Sequence, residues 1–419
     1  MTDRPNLPHA LRALKHRNFR IYFVAQAISI FGSWIQQVAM TWLVYRLSGS
    51  AMLLGATAFA ALIPQLLVGP FAGAWSDRHD KRRMLIIVES LLLGQALLLA
   101  VLTWGGWIRP FMVIPLAGLL GVLNAFETPL RQSLISRMVP VNEDLPNALA
   151  LNAMLFNSGR FLAPPLAGFL LAVSSEGTCF ALNAISFLAL IAGIRKFDFA
   201  PAARSKASLG DVFREGLRYA MQTHSVRTLL ITLVITNLTA SSYAVLLPLF
   251  AKEILGGDSV TLGWLWGAAG CGAFLSTIFL ASHRSSGGIA IVIASGTLLC
   301  AGALFGLAFS GQFVTSILTM VVLGFGISVT NVGCNIVLQA MAPDTMRGRV
   351  ISFFTSVRFG FDALGGLIAG AIAAQLGVPP TLLVEAVIQL CGAFWLASHL
   401  RALRSGIVNP PPLTVARGS

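Results

Sequence analysis

Apolar runs of about twenty residues recur along this chain from near residue 20 to near residue 400. A run of that length crosses the hydrocarbon core of a bilayer as one helix. In lipid a helix satisfies its own backbone hydrogen bonds, so repeated runs restrict the fold to a bundle that crosses the membrane many times. The runs read as twelve spans, at 20–46, 51–75, 83–104, 111–138, 146–173, 177–195, 227–252, 259–282, 287–309, 312–341, 348–376 and 380–400. Some exceed the bilayer thickness and are expected to tilt, bend or project. Charged residues make up 11% of the chain, against about 25% in a soluble domain. That is too few to cover a water-facing surface of this size. The 40 glycines and 19 prolines are scattered through the runs, where membrane helices tolerate them.

The formal charge of +13 invites a nucleic-acid reading, but the basic residues sit at the ends of apolar runs. With the N-terminus in the cytoplasm, 24 of the 29 Lys and Arg residues fall on the cytoplasmic side. Arg46, Arg109 and Lys252 fall opposite, and Arg160 and Arg358 lie inside the membrane. This asymmetry predicts both termini in the cytoplasm, with no nucleic-acid partner. The expected location is the cell inner membrane. The first twenty residues are too polar for a signal peptide, and the run after them is too long for a signal h-region. Cys179, Cys271, Cys300, Cys334 and Cys391 stand singly in or beside apolar runs, so they read as packing residues and not as a disulfide or metal framework.

The longest connection, about 196–226, divides the chain into six spans and six. The expected organisation is an N-terminal bundle at 1–195, a cytoplasmic loop at 196–226, a C-terminal bundle at 227–401 and a tail at 402–419. Within the loop, 211–222 reads as an amphipathic helix at the membrane surface, serving as linker or as regulator. The halves repeat one another. A constant offset carries Leu162, Ala167 and Gly168 of span 5 onto Leu364, Ala369 and Gly370 of span 11, and Gly49 to Gly55 parallels Gly257 to Gly263. Two pseudo-symmetric bundles with a path between them are the architecture of secondary transporters.

After span 2 stands Gly73-Ala-Trp-Ser-Asp77-Arg78-His-Asp80-Lys81-Arg82-Arg83. Gly73 permits close helix approach, Asp77 suits an exposed helix N-terminus, and the basic residues suit the cytoplasmic surface. The stretch resembles the signature loop of the major facilitator superfamily, G-x-L-x-D-R-x-G-R-K, with Asp80 in place of the second glycine. Its counterpart after span 8, Ala281-Ser-His283-Arg284, is degenerate. Span 5 carries Gly159-Arg160-Phe-Leu-Ala163-Pro164-Pro-Leu-Ala167-Gly168. Small residues four apart let helices touch, and Pro164 removes a backbone bond. This resembles the antiporter signature of drug exporters, G-x-x-x-G-P-x-x-G-G; a merely kinked packing helix is the plainer reading. With Glu127-Thr-Pro129-Leu-Arg131, Asp144-Leu-Pro146-Asn147 and Pro343-Asp344-Thr-Met-Arg347-Gly348-Arg349, the set is similar to the enterobactin-exporter-like branch of that superfamily. The resemblance covers roughly 15–400. It implies the all-α major facilitator fold, two six-helix bundles, and export of a siderophore or amphiphilic drug by proton antiport. It also implies a cytoplasmic gate of Gly73, Asp77, Arg78, Lys81, Arg82 and Arg131.

An ionisable group inside the membrane is a functional candidate by default. Arg160 lies about 20 Å into span 5 at 1.5 Å per residue. The repeat offset pairs it with Asp362, one turn beyond Arg358. Asp362 is either the proton carrier or a permanent i, i+4 partner of Arg358. Arg160 either binds an anionic or catechol-bearing substrate or neutralises a carboxylate. Glu127 either joins a gate with Asp77, Arg78 and Arg131 or couples protons. Glu89 and Glu385 read as interfacial. Gln26, Gln37, Asn124, Asn157, Asn237, Asn331 and Asn335, with Trp34, Trp264 and Trp266, are cavity-lining candidates; interhelical hydrogen bonding is their other reading. No nucleotide loop or metal pair is present in the sequence, so the expectation is a monomeric, cofactor-free, non-enzymatic transporter. A lipid or lysolipid flippase of the same fold, or a non-transporting scaffold or sensor, are the alternatives. The intact signature loop argues against the scaffold.

Overall fold

A computed structural model describes residues 9–76, 79–139, 142–196, 223–282, 288–342 and 347–408. Every regular element among them is helical. Span 1 is Arg17–Ser48, span 3 Lys81–Trp104, span 4 Pro110–Met138, span 5 Leu145–Val173 and span 6 Glu176–Arg195. In the second half, span 8 is Ser259–Ser282, span 9 Ile289–Ala308, span 10 Phe313–Met341, span 11 Arg347–Leu376 and span 12 Val378–Val408. Among the described residues ten helices are long and apolar enough to cross a membrane. The remaining two spans depart for local reasons. Span 5 carries Arg160 among several asparagines, and span 2 is broken.

Span 2 runs as Ala51–Leu67 and Gly69–Ser76. Pro64, inside the first helix, and the Gly69-Pro70 pair after it explain a break there. Span 7 is not the single helix expected at 227–252. It is His224–Leu238, a 3-10 turn at Ala240–Ser242, Tyr243–Leu249, and a π turn at Phe250–Ile254. Thr239, Ser241 and Ser242 stand at the joint with side chains that compete for backbone partners. Span 12 continues beyond the expected tail boundary at 402. The predicted amphipathic segment at 211–222 lies outside the described residues.

Short caps set the turns. Gly49 ends span 1 with φ +59°, and Ser50 accepts from the Leu53 amide to start span 2. At the equivalent place in the second half, Gly256 has φ +62°, and Asp258 accepts from the amides of Val260 and Thr261. Asp80, the departure from the signature loop, caps span 3 through the amides of Arg82 and Arg83 at 2.9 and 3.2 Å.

The first bundle packs spans 1, 5 and 6, spans 3 and 6, and spans 2 and 4; the second packs spans 8 and 10, 9 and 10, and 9 and 12. Among the described residues two extensive pairs join the bundles: span 2 with span 11, and span 5 with span 8. These pairs are equivalent under the repeat seen in the sequence. Gly55 abuts Gly366 and Gly370, while Gly263 abuts Pro164 and Gly168. A Cβ at Gly55, Gly370, Gly263 or Gly168 would meet backbone of the other bundle. Glycine is what permits the approach.

Among the described residues the buried apolar core is continuous between the bundles at one end and divided at the other. At the end remote from the basic loops, a single apolar cluster runs through both bundles, from Leu43 and Leu54 through Ala163 and Ala167 to Tyr243, Leu262 and Ala369. At the basic end the core is split. One cluster, including Phe19, Leu92 and Leu134, belongs to the first bundle, and another, including Leu233, Ile293 and Phe354, belongs to the second. Large apolar side chains such as Leu98, Ile185, Leu298 and Phe394 are exposed on the outer faces, as expected where lipid is the solvent.

Candidate functional site

Span 5 brings Arg160 to the junction between the bundles because Gly159 and Ala163 let its helix settle against its neighbours. A Cβ on Gly159 would strike Ile30 of span 1. Ala163 and Ala167 are fully buried. The Arg160 backbone meets Gly270 of span 8, and Pro165 meets Gly267. The efflux-like motif is therefore the packing surface of span 5 towards spans 1 and 8, and Arg160 projects from within it.

The Arg160 Nη2 donates to the Tyr243 hydroxyl at 3.4 Å, and its Nε is buried without a partner. Tyr243 follows directly on the joint of span 7. Its ring lies 6.0 Å from Trp266, which in turn meets Trp34 edge-on at 6.0 Å. The three rings close the junction on the side away from the basic loops. Asn157, one turn before Arg160, reaches Thr277 of span 8 at 3.5 Å. Gln37 lines a small cavity between the bundles with Thr41, Thr57, Ala244 and Trp266.

On span 11, the charges of Arg358 and Arg160 both act on Asp362. The Arg358 guanidinium lies 5.3 Å from the centre of the Phe359 ring, and Arg358 and Asp362 attract one another along the helix. Asp362 and Arg358 are half-buried. Both guanidiniums, one from each bundle, act on the same carboxyl.

Other candidates fall elsewhere. Trp264 is 52% exposed while Trp266 is 6% exposed. Two positions along a helix is more than half a turn, so only one of them faces the junction. Asn237 donates to Asn331 at 3.1 Å, both buried inside the second bundle. Asn335 accepts from Gln339 on its own helix. Gln26 is buried with neither amide atom partnered, and Asn124 is half-buried. Of the gate candidates, Asp77 and Arg78 lie outside the described residues, and Gly73 is described only as part of its helix. Lys81 begins span 3. Arg82 donates to the Arg195 carbonyl at the end of span 6, within one bundle. Glu127 and Arg131 form an ion pair on span 4, with Arg131 stacked 4.8 Å from the Phe156 ring centre.

Two acids read as interfacial are inside the protein. Glu89 is fully buried beside Glu127 and Arg131, with both oxygens unpartnered. Glu385 is 4% exposed in the second bundle. Their depth was legible: each lies about two turns into its span, too far for an interfacial side chain. Tyr243 and Thr277 were missed because nothing local marks a tyrosine or threonine in an apolar run.

The twelve spans, the paired bundles and the charged junction between them define a polytopic membrane transporter of the major facilitator type. The model of the family described as transmembrane secretion effector matches residues 9–409, and the chain belongs to that family. A staphyloferrin A transporter of Staphylococcus aureus is 27% identical over 373 residues, 88% of this chain and 93% of its own. The multidrug efflux pump Tap of Mycolicibacterium fortuitum is 27% identical, covering 84% of this chain and 88% of its own. Among solved structures, a bacterial homolog of the human lysosomal transporter Spinster superposes with a TM-score of 0.72 at 13% identity, covering 93% of this chain and 97% of its own. The nucleoside transporter NupG superposes at 0.69 and 13% identity, covering 93% of this chain and 99% of its own. These likenesses establish the fold, and the family and its relatives are transporters, not enzymes.

Proposed function

We propose that this protein exports a small amphiphilic, oxygen-rich molecule of siderophore or drug type across the cell inner membrane, by alternating access and in exchange for protons. The observation that carries the proposal is Asp362, acted on by the charges of both Arg160 and Arg358, at a junction whose apolar core is continuous at the end away from the basic loops. The basic loops orient that closed end outward, so the junction is reached from the cytoplasm. Arg160 and Arg358 offer donors to substrate oxygens. Asp362 accepts a donor or cation from the substrate when ionised, or a proton when not. A substrate that engages the carboxylate expels the proton, and an arriving proton releases the substrate. Mutual exclusion of this kind is what antiport requires. The staphyloferrin A transporter and the multidrug efflux pump among the relatives agree with a transporter whose site reads oxygen and charge and not one rigid shape.

The test is reconstitution with a substrate found by comparing metabolites secreted by a deletion strain and its parent. Asp362→Asn is expected to abolish pH-gradient-driven export while keeping substrate exchange at equilibrium, because exchange needs binding and motion but no proton. Full gradient-driven export by Asp362→Asn would remove Asp362 as the carrier and move attention to Glu127.

A further inference from the structure

The joint of span 7 sits against two polar residues of span 12, one turn apart. The Thr239 hydroxyl lies 2.8 Å from both Gln389 Oε1 and the Ile235 carbonyl, and Gln389 donates to Thr236 and to the Thr297 carbonyl of span 9, both at 3.3 Å. Glu385 meets the hydroxyl of Ser242 through Oε1 at 2.5 Å. The same Ser242 hydroxyl also contacts the Thr239 carbonyl. The second carboxyl oxygen of Glu385 is buried with no partner.

A hydroxyl has one hydrogen to donate. Both the Thr239 carbonyl and an ionised Glu385 are acceptors only, so Ser242 cannot serve both. The contacts are satisfied together if Ser242 donates to the carbonyl and Glu385 donates its own hydrogen to Ser242. An ionised carboxylate would also leave Oε2 as an unpaired buried charge, which is far costlier than an unpaired neutral oxygen. Among the described residues no charged group faces it. Span 9 carries only Cys300, which packs against Gly326 of span 10. On span 7, His224 and Arg227 lie at one end and Lys252 and Glu253 at the other, and the Tyr243 hydroxyl reaches Arg160. On span 11, Arg347 and Arg349 start the helix, and Arg358 and Asp362 act on each other. On span 12 itself, His399, Arg401 and Arg404 lie at the far end of the helix, and Cys391 is exposed.

We propose that Glu385 is a proton-binding site built into the joint of span 7, separate from the central junction. The proton sits on Oε1 and is shared towards Ser242. When it leaves, the Ser242 hydrogen turns to the carboxylate and the Thr239 carbonyl loses its donor. That carbonyl belongs to the joint, and Tyr243 is the next residue after Ser242. Proton occupancy at Glu385 therefore sets the geometry that presents the Tyr243 hydroxyl to Arg160. The inference rests on the transport reading only for this consequence; the proton itself is read without any substrate.

The experiment is infrared difference spectroscopy of the full-length protein in liposomes, between neutral and alkaline buffer. Wild type is expected to show the carbonyl stretch of a buried carboxylic acid. Glu385→Gln removes that band, Ser242→Ala moves it to higher frequency by deleting the acceptor, and Asp362→Asn leaves it in place. A Glu385→Gln spectrum superimposable on wild type overturns the proposal. Should Glu385→Gln fail to assemble, Ser242→Ala decides: an unshifted band overturns it equally. Failure of proton-driven export in the substrate assay bears on Asp362 and leaves this band where it is.

Discussion

Glu127 and Arg131 show how a single side chain is read differently once its neighbours are known. On the sequence they are two charges one turn apart near a membrane surface. In the structure they pair in a largely dry setting, with the fully buried Glu89 close enough to feel both. Breaking a buried pair by deleting one partner costs about 3–5 kcal/mol, whereas replacing both with apolar residues of similar size is often near neutral. Glu127→Ala is accordingly expected to lower thermal stability in detergent markedly, and Glu127→Leu with Arg131→Met to recover most of it. A double variant as unstable as the single would show that the charges act independently. Gly263 makes a second case. Its missing Cβ lets span 8 rest on Pro164 and Gly168, and overpacking such a contact costs about 1–3 kcal/mol. Gly263→Leu should push the bundles apart and increase labelling, from the outer side, of a cysteine placed at Thr41. Unchanged labelling would mean the bundles separate by another route.

At the scale of elements, ends and interruptions matter more than the helices between them. Asp80 departs from the signature loop yet caps span 3, so Asp80→Ala is expected to cost about 1 kcal/mol, visible as faster hydrogen exchange in 81–85. Before span 1, the 3-10 turn His9–Lys15 is tied to the start of span 5. Asp144 is held by Lys15 and His16 at 2.8 Å and by Arg12 at 3.4 Å, and Asn147 accepts from the Ala13 amide. Hydrogen bonds from Lys15 first, then His16, hold the Asp144 carboxyl below its ordinary value. A depressed carboxyl stabilises above its unfolded pKa of about 4 and loses that contribution as pH falls through the folded value. The turn should stay protected from protease at neutral pH and be cleaved faster below about pH 4, with Asp144→Asn cleaved fast at both. Equal protection of Asp144→Asn at neutral pH would refute the tether.

For the whole molecule, the decisive fact is where the two bundles touch. One apolar cluster unites them at the end remote from the basic loops, and two separate clusters hold them apart at the other. The Glu253 carboxylate of span 7 acts on the Tyr45 hydroxyl of span 1 at the joined end. Cysteines at Ala51 and Gly370, which abut across the bundles, should cross-link readily and arrest export, with activity restored on reduction. Cross-linking with undiminished export would exclude rocking of the bundles about this contact.

The sequence by itself determined the twelve crossings, the division into two bundles and their pairing by an internal repeat. Those features follow from local quantities: run length against bilayer thickness, charge at run ends, and small residues at fixed offsets. It also singled out Arg160, Arg358 and Asp362, because a charge in a membrane span is costly wherever it points. Only the tertiary structure decided which polar groups meet. Trp264 and Trp266, or Gln37 and its neighbour Gln36, which bonds Gln95 and Asn183 inside the first bundle, are equivalent in composition and differ only in helix phase. Glu385 became significant only when the broken span 7 came to rest on it. Facing is set by how whole helices pack, and that is decided jointly by residues far apart in the chain.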